Sequence, residues 1–468
     1  MNFRSKGLPV GCIDPRRIAK HCIALSAGLV VAALVGFCQP VAAQTAILTN
    51  SGVATGAISC APSNNGTGHM VCLEYSTAGS LIGLSWQAPP AAGANTERVG
   101  TVDVVPLASP GGTPVGAPGC GPENNNTGTI ACLVVSKTTS GSFVLQGIAF
   151  YPPTDKAGTA TPSGFVTLAT EPANTVIGNP SCAATNIGGA VVCAITINGQ
   201  LFGTGFEPKT NIFSAPGTTT LPALTALLSG TSVTGNPSCA SGEAPNPSDC
   251  AVREGNALAG FALAFTPPQS GSTVARIAAE DAIVIGSMTL SGDPSCAIPP
   301  NGQVGATSFV ATCGIVSGTT LFGLSFDPID AIPASLPSSH TTAFQLLGTA
   351  PDTGSWTGSI GCSSFADFRG ATPPDVSPNQ NLIGCVPISS THNVFEVTFD
   401  PRKPVTRGVL GPFGVNANAT LSCLPLAIDR DNIYCGGTTT TGASGGYLIP
   451  VGVLSPGTAA VLMKFLSN

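Results

Sequence analysis

Seven cysteine pairs at near-constant spacing, glycine turns between β-branched segments, and a dearth of helix-forming stretches together predict an all-β chain. The specific expectation is a seven-bladed β-propeller of four-stranded antiparallel blades, each holding one disulfide. The pairs are Cys60/Cys72, Cys120/Cys132, Cys182/Cys193, Cys239/Cys250, Cys296/Cys313, Cys362/Cys385 and Cys423/Cys435. Their first members lie 60, 62, 57, 57, 66 and 61 residues apart, so a unit of about sixty residues recurs seven times. A parallel β-helix has much shorter coils, and an outer-membrane barrel does not suit disulfides closed within hairpins.

The N-terminus comes first in the chain and reads as a secretory signal over residues 1–43. Arg4, Lys6, Arg16, Arg17 and Lys20 form a basic region, Cys22 to Phe37 an apolar one, and Val41-Ala42-Ala43 supplies small residues before a cut at Gln44. Three of the 17 cysteines (Cys12, Cys22 and Cys38) fall in this segment, and the seven pairs use all the others. An even, fully paired set predicts structural disulfides in an oxidising compartment, secreted or periplasmic. The spacings inside the pairs do not match zinc sites, so no metal and no cofactor is expected.

Of 17 Lys+Arg and 23 Asp+Glu, five and one lie in residues 1–43, so the remainder carries a net charge of −10. An acidic chain without basic clusters excludes nucleic acid as a partner. No second apolar run long enough to span a membrane follows the signal segment. Hydrophobic residues make up 43% of the chain, which excludes a disordered one.

Within residues 44–468 each unit repeats one grammar. In the third, Gly178-Asn179-Pro180-Ser181-Cys182 opens a first strand, and Val191-Val192-Cys193-Ala194-Ile195 forms a second. Asn198-Gly199 then supplies the positive φ of a tight hairpin, Leu201–Phe206 is a third strand, and Pro208 ends it. A fourth apolar run follows after a looser stretch, as in Leu224–Leu228 and Ala282–Ile285. Opposed Cα atoms of antiparallel neighbours sit within disulfide reach, so each bridge should tie first strand to second. At the ends, Ala46–Thr49 precedes the first unit as a fourth-strand segment and the run from Ala460 to Phe465 follows the seventh; one closes the ring beside the other, or one is a tail.

The third strands share a column of small residues, Gly83, Gly147, Gly203, Ala262 and Gly323, with Glu396 and Pro450 as departures. Their ends share a large apolar residue: Trp86, Phe150, Phe206, Phe265, Phe326 and Phe399, then Val453. A small residue in mid-strand permits close approach of a neighbouring backbone and the large one fills space between stacked sheets, so both predict blade-to-blade packing, not ligand stacking.

The phrase Pro180-Ser181-Cys182-Ala183, then Val191-Val192-Cys193, then Asn198-Gly199-Gln200-Leu201-Phe202-Gly203 resembles the repeats of the bacterial and fungal seven-bladed propeller lectins, the Photorhabdus and Psathyrella type. The resemblance runs from about residue 46 to the end. It implies the propeller fold and a lectin-like activity. The family's tryptophan-rich third strand is absent, only Trp86 and Trp356 being present, and no binding residue transfers from it.

Three local patterns invite chemistry. Gly442-Ala443-Ser444-Gly445-Gly446 fits the serine-hydrolase spacing but lacks a helical pattern after it, so it reads as a hairpin. Asp429-Arg430-Asp431-Asn432 lacks the glycine and distal acid of a calcium loop and reads as the turn between first and second strands. Asp327-Pro328, Asp400-Pro401 and Glu207-Pro208 recur at one repeat position and read as strand-ending turns.

The sixth unit differs, with 22 residues between its cysteines against 10, 11 or 16 elsewhere. Phe365, Asp367, Phe368 and Arg369 on this insertion, with Trp356 just before it, form the candidate ligand-binding set. The functional expectation is a secreted, non-enzymatic binding protein, lectin-like, for a carbohydrate or cell-surface ligand. The alternative is a structural or cell-surface protein-interaction scaffold without a small ligand.

Overall fold

The structure is a computed structural model. It describes residues 54–63, 65, 67–76, 79–87, 99–123, 127–153, 158–185, 190–207, 212–213, 225–226, 232–241, 248–266, 276–298, 310–328, 341–366, 381–399, 406–410, 412, 421–426, 429–438, 440, 444–450 and 464–467. The signal segment 1–43 and the candidate strand Ala46–Thr49 lie outside them. Among the described residues there is no helix, and hence none long and apolar enough to cross a membrane.

Among the described residues the strands form seven separate sheets, one per cysteine unit, with the strands of each unit antiparallel. The first runs Ala54–Pro62, His69–Ser76, Leu81–Gln87, Val99–Val105. The fourth runs Ser238–Ala240, Ser248–Glu254, Ala257–Thr266, Arg276–Ser287, and the fifth Ser295–Ala297, Ala311–Ser317, Thr320–Phe326, Gln345–Thr349. The sixth runs Trp356–Ala366, Asn381–Ser389, Glu396–Phe399, Thr406–Leu410. The second and third sheets have the same three inner strands, with the outer position shared by two short segments: Thr161–Pro162 and Val166–Glu171, then Ile212–Phe213 and Thr225–Ala226. The seventh shows three strands among the described residues, Ser422–Leu426, Asp429–Thr438 and Ser444–Pro450. Lys464–Ser467 pairs in parallel with Val99–Val105, so the C-terminal run adds to the outer edge of the first sheet.

The hairpins form for the reasons the sequence suggests. Asn198 and Gly199 adopt φ of 50° and 73°, and Ile197 faces Gln200 across a two-residue turn whose twist matches the strands. All seven expected disulfides are present: Cys60–Cys72, Cys120–Cys132, Cys182–Cys193, Cys239–Cys250, Cys296–Cys313, Cys362–Cys385 and Cys423–Cys435. Each bridges directly opposed residues of first and second strands, at Cα separations of 4.0 to 4.1 Å. Such close approach belongs to a non-hydrogen-bonded pair, in which both backbone N–H groups point away from the partner strand. The second-strand members Cys72, Cys132, Cys193, Cys250, Cys313, Cys385 and Cys435 are all buried, because that strand has a neighbour on either side.

That geometry leaves the first cysteine's N–H unmet, because the first strand is an edge of its sheet. A buried N–H needs a partner. The preceding sheet supplies one: the serine before its own cysteine accepts that N–H. Ser59 accepts from Cys120, Ser181 from Cys239, Ser238 from Cys296, Ser295 from Cys362, and Ser422 from Cys60, at 2.8 to 2.9 Å. The last of these joins the seventh sheet to the first. At the other two junctions glycine replaces serine. A Cβ on Gly119 would collide with the Pro180 carbonyl, and one on Gly361 with the Leu421 carbonyl, so the backbones there have closed beyond what serine permits.

The third-strand column also works between sheets. A Cβ on Gly260 would lie 2.8 Å from the Phe326 ring, and one on Gly323 2.8 Å from the Phe399 ring, each ring belonging to the following sheet. The expectation therefore holds with a refinement: the glycine makes room for an aromatic ring. Register corrects two assignments. In the fourth sheet Gly260, not Ala262, faces Ala251, the residue after the second cysteine, and Leu263 takes the place given to Phe265. In the seventh, Gly446 faces Gly436 and Ile449 faces Ile433, so Gly446 and Ile449 hold the places given to Pro450 and Val453.

The core is consequently a series of slabs between sheets. One contains Ile58, Met70, Cys72 and Trp86 of the first sheet with Leu424 and Tyr434 of the seventh.

Candidate functional site

Several buried polar groups lie where first strands end and second strands begin. In the first sheet, Asn65 Oδ1 accepts from Ser63 Oγ at 2.6 Å and from Thr67 N at 3.1 Å, while its amide donates to the Pro153 carbonyl of the second sheet at 3.3 Å. His69 is buried, with Nδ1 2.8 Å from Thr67 Oγ1. In the second sheet Thr127 Oγ1 donates to Glu123 Oε2 at 2.7 Å, and Glu123 is fully buried. Burial and then the nearby Glu123 push the half-buried Tyr151 hydroxyl up from its ordinary value. In the fourth sheet Asp249, one residue before Cys250, is buried; desolvation and then Asp327 push it well above the carboxylate range. Asp327 does follow the end of its strand, as its turn assignment requires, but it is buried.

The opposite end is built differently. Asn179 Oδ1 accepts the Ala117 N–H at 2.8 Å, Asn236 Oδ1 the Asn179 N–H at 2.6 Å, and Asn236 Nδ2 donates to Asp293 Oδ2 at 2.7 Å. In the third, fourth and fifth sheets one side chain thus reaches back to the sheet before. Gly178 and Gly235 leave the room this needs, since a Cβ on either would strike the Asn236 or Asp293 oxygen. The repeated Gly-Asn/Asp-Pro-Ser-Cys phrase is thereby explained by contacts between sheets. Also at this end, Asp352 Oδ2 accepts from Ser389 Oγ at 2.7 Å, Thr391 Oγ1 at 2.5 Å and Asn393 Nδ2 at 2.9 Å. Despite some desolvation, these donors hold its carboxyl well below the usual range.

The candidate set on the sixth unit divides. Trp356 is 4% exposed, its ring stacks edge-on against Phe395 at 5.5 Å, and its Nε1 donates to the Gly348 carbonyl of the fifth sheet at 3.1 Å. It is a core residue between two sheets, which corrects its assignment to a ligand surface: the indole fills a seam and satisfies its N–H there. The backbone of Phe365 pairs with Leu382 near the end of the first strand. Asp367, Phe368 and Arg369 lie outside the described residues.

The disulfide cysteines take no part in this site. Cys132, Cys313, Cys385 and Cys435 are buried in the packing between sheets, so their bridges hold the scaffold and offer a ligand no surface. Ser444 sits in a strand opposite Thr438, without the strand-to-helix turn a hydrolase serine needs. Asp429–Asn432 belong to the second strand of the seventh sheet, not to the turn before it. Among the described residues no three His, Cys, Asp or Glu side chains group to hold a metal.

Sequence reasoning passed over Glu123, Tyr151 and Asp249. The available signal was rarity: in a chain with 9% charged residues, acids within three residues of a disulfide are conspicuous.

No family model matches the chain, and no curated protein matches it. Solved structures similar to it include lectins and propellers. The BP39L lectin from Burkholderia pseudomallei shares 12% identity over 84% of this chain and 96% of its own, with a TM-score of 0.49. The Dos1 propeller shares 9% over 89% and 95%, at 0.41. The Hadza microbial sialidase Hz136 shares 6% over 84% and 65%, at 0.41.

Proposed function

We propose that residues 44–468 form a seven-bladed β-propeller of four-stranded blades, exported to an oxidising compartment after loss of residues 1–43, and that it is a non-enzymatic, lectin-like binding protein. The propeller reading is supported by the like seams between successive sheets, above all by Ser422, which engages Cys60 as the other serines engage the next sheet. The seven disulfides support the oxidising compartment.

The observation that carries the binding reading is the collection of polar groups at the first-turn end of a ring otherwise poor in charge. Glu123 with Thr127 and Tyr151 belong to the second unit and His69 with Thr67 to the first, and the Asn65 amide links the two through the Pro153 carbonyl. The exposed Thr127 and half-buried Tyr151 beside the buried Glu123, and the half-buried Thr67 on the buried His69, present hydroxyls that suit a ligand rich in hydroxyls, a carbohydrate or the glycan of a cell-surface protein. Phe365, Asp367, Phe368 and Arg369 of the sixth-unit insertion are proposed as part of the same ligand-binding set.

A glycan array with the mature protein tests the proposal. Binding competed by free sugar and weakened in Tyr151→Phe or in the double variant Phe368→Ala/Arg369→Ala supports it. A blank array moves the function to a protein partner, the scaffold alternative, for which exposed Val176 and Leu346 offer apolar contact.

A further inference from the structure

The sixth sheet places a carboxylic acid where its counterparts hold glycine. Glu396 occupies the register position of Gly83, Gly147, Gly203, Gly260, Gly323 and Gly446, opposite the residue after the second cysteine. Gly323 shows which way this position faces, since its neighbour is the Phe399 ring of the following sheet. Glu396 therefore faces the seventh sheet. There, Ile449 stands at the register position that Phe399 holds in the sixth, a smaller residue than the aromatic ring.

Glu396 is 0% exposed, and neither carboxyl oxygen has a hydrogen-bond partner. Two residues along the same face, the buried Thr398 hydroxyl is also unpartnered. The same seam lacks the serine clasp, because Gly361 stands where Ser295 stands one sheet earlier. Two independent departures from the repeat thus fall on one junction. Among the described residues no hydrogen bond meets this carboxyl, and an unpaired buried charge is far more costly than a neutral acid.

We infer that the junction between the sixth and seventh sheets is a proton-controlled joint, packed while Glu396 is neutral and loosened when it ionises. Burial alone pushes the Glu396 carboxyl up, to about 8. The ionisable residues on the described strands around it are Arg407 on the outer strand of its own sheet and Asp429, Arg430, Asp431, Tyr434 and Tyr447 on the seventh. Tyr434 packs with the first sheet, on the far side. The sign follows from the raised folded value. The native state holds a proton that the unfolded chain releases near 4.5, so stability is full below that pH and declines as pH rises to about 8.

The test is urea unfolding of the mature protein, disulfides intact, from pH 4 to 9, with Glu396→Gln beside the wild type. Across the window the wild-type unfolding constant should rise about tenfold per pH unit more than that of the variant. Parallel pH profiles would overturn the inference. Should Glu396→Gln not fold, Glu396→Met serves in its place. Hydrogen exchange on the wild type needs neither variant. Corrected for intrinsic rates, protection of Glu396–Phe399 and Ser422–Leu426 should fall with rising pH before that of Thr320–Phe326. Simultaneous loss at both junctions sinks the idea.

Discussion

The junction between the fifth and sixth sheets and the junction between the sixth and seventh are built from the same repeat and solved in different ways. At the first, Gly323 receives the Phe399 ring, Ser295 accepts the Cys362 N–H, and Trp356 reaches across to Gly348. Size complementarity and two satisfied donors close it at every level. At the second, a buried acid replaces the glycine and a glycine replaces the serine. A repeat therefore dictates where sheets meet, while individual residues set how firmly each junction holds. Stability along a series of packed sheets need not be uniform, and local opening follows the junction with the fewest satisfied contacts.

The largest expected effect tests the tight junction. Phe399→Ala removes the ring that Gly323 accommodates and should cost about 3–5 kcal/mol in equilibrium unfolding. Filling the same space from the other side, Gly323→Val forces a Cβ against the ring and should cost about 1–3 kcal/mol. A loss under about 1 kcal/mol in both would mean the ring does not depend on this fit, and the contrast between the junctions would collapse.

A smaller effect separates the clasp from the packing. Ser295→Ala leaves the Cys362 N–H without an acceptor, at about 1–3 kcal/mol by urea unfolding. Trp356→Phe keeps most of the buried ring area but deletes the bond to Gly348, for about 1 kcal/mol. Since Trp356 is core, this variant should bind any glycan as the wild type does. Weakened binding at unchanged stability would return Trp356 to the ligand surface.

How much of this was legible beforehand depends on whether the cause was local. The disulfide pairing, the Asn198-Gly199 hairpin and the strand ending before Pro208 follow from interactions within one unit, and each stands in the sequence. The serine before the cysteine was visible in Ser59, Ser181, Ser238, Ser295 and Ser422, yet its purpose lay in the next unit, sixty residues on. Column positions slipped in the fourth and seventh units for a related reason. Register there is set by the partner strand, and Gly260 and Gly446 are identified only by what they face. Trp356 was misjudged because its position before the insertion suggested a loop, whereas the first strand of the sixth sheet starts at that residue. The polar end of the ring was the least legible part, because Glu123, Tyr151 and Asp249 come from different units and no short motif joins them.

The smallest effect lies on the acid side and contrasts Asp352 with Glu396. Both belong to the sixth repeat, but Asp352 accepts four hydrogen bonds, from Ser389, Thr391, Asn393 and the Gly354 N–H. These bonds favour the charged form, so its folded value lies below the ordinary 3.8. A depressed carboxylate contributes stability that is complete above its unfolded value and is lost as pH falls below about 4. The side chain is partly exposed, and solvent screening keeps the contribution small, within about 1 kcal/mol. Asp352→Asn should therefore lower stability slightly at pH 6 and leave it nearly equal to wild type near pH 3. Glu396→Gln should do the reverse, matching wild type below pH 4 and exceeding it near pH 8. Unfolding curves for both variants over that range should cross the wild type from opposite sides. If both diverge from wild type at the same end, the two carboxyls sit in like environments, and the contrast between a hydrogen-bonded acid and an orphaned one is lost.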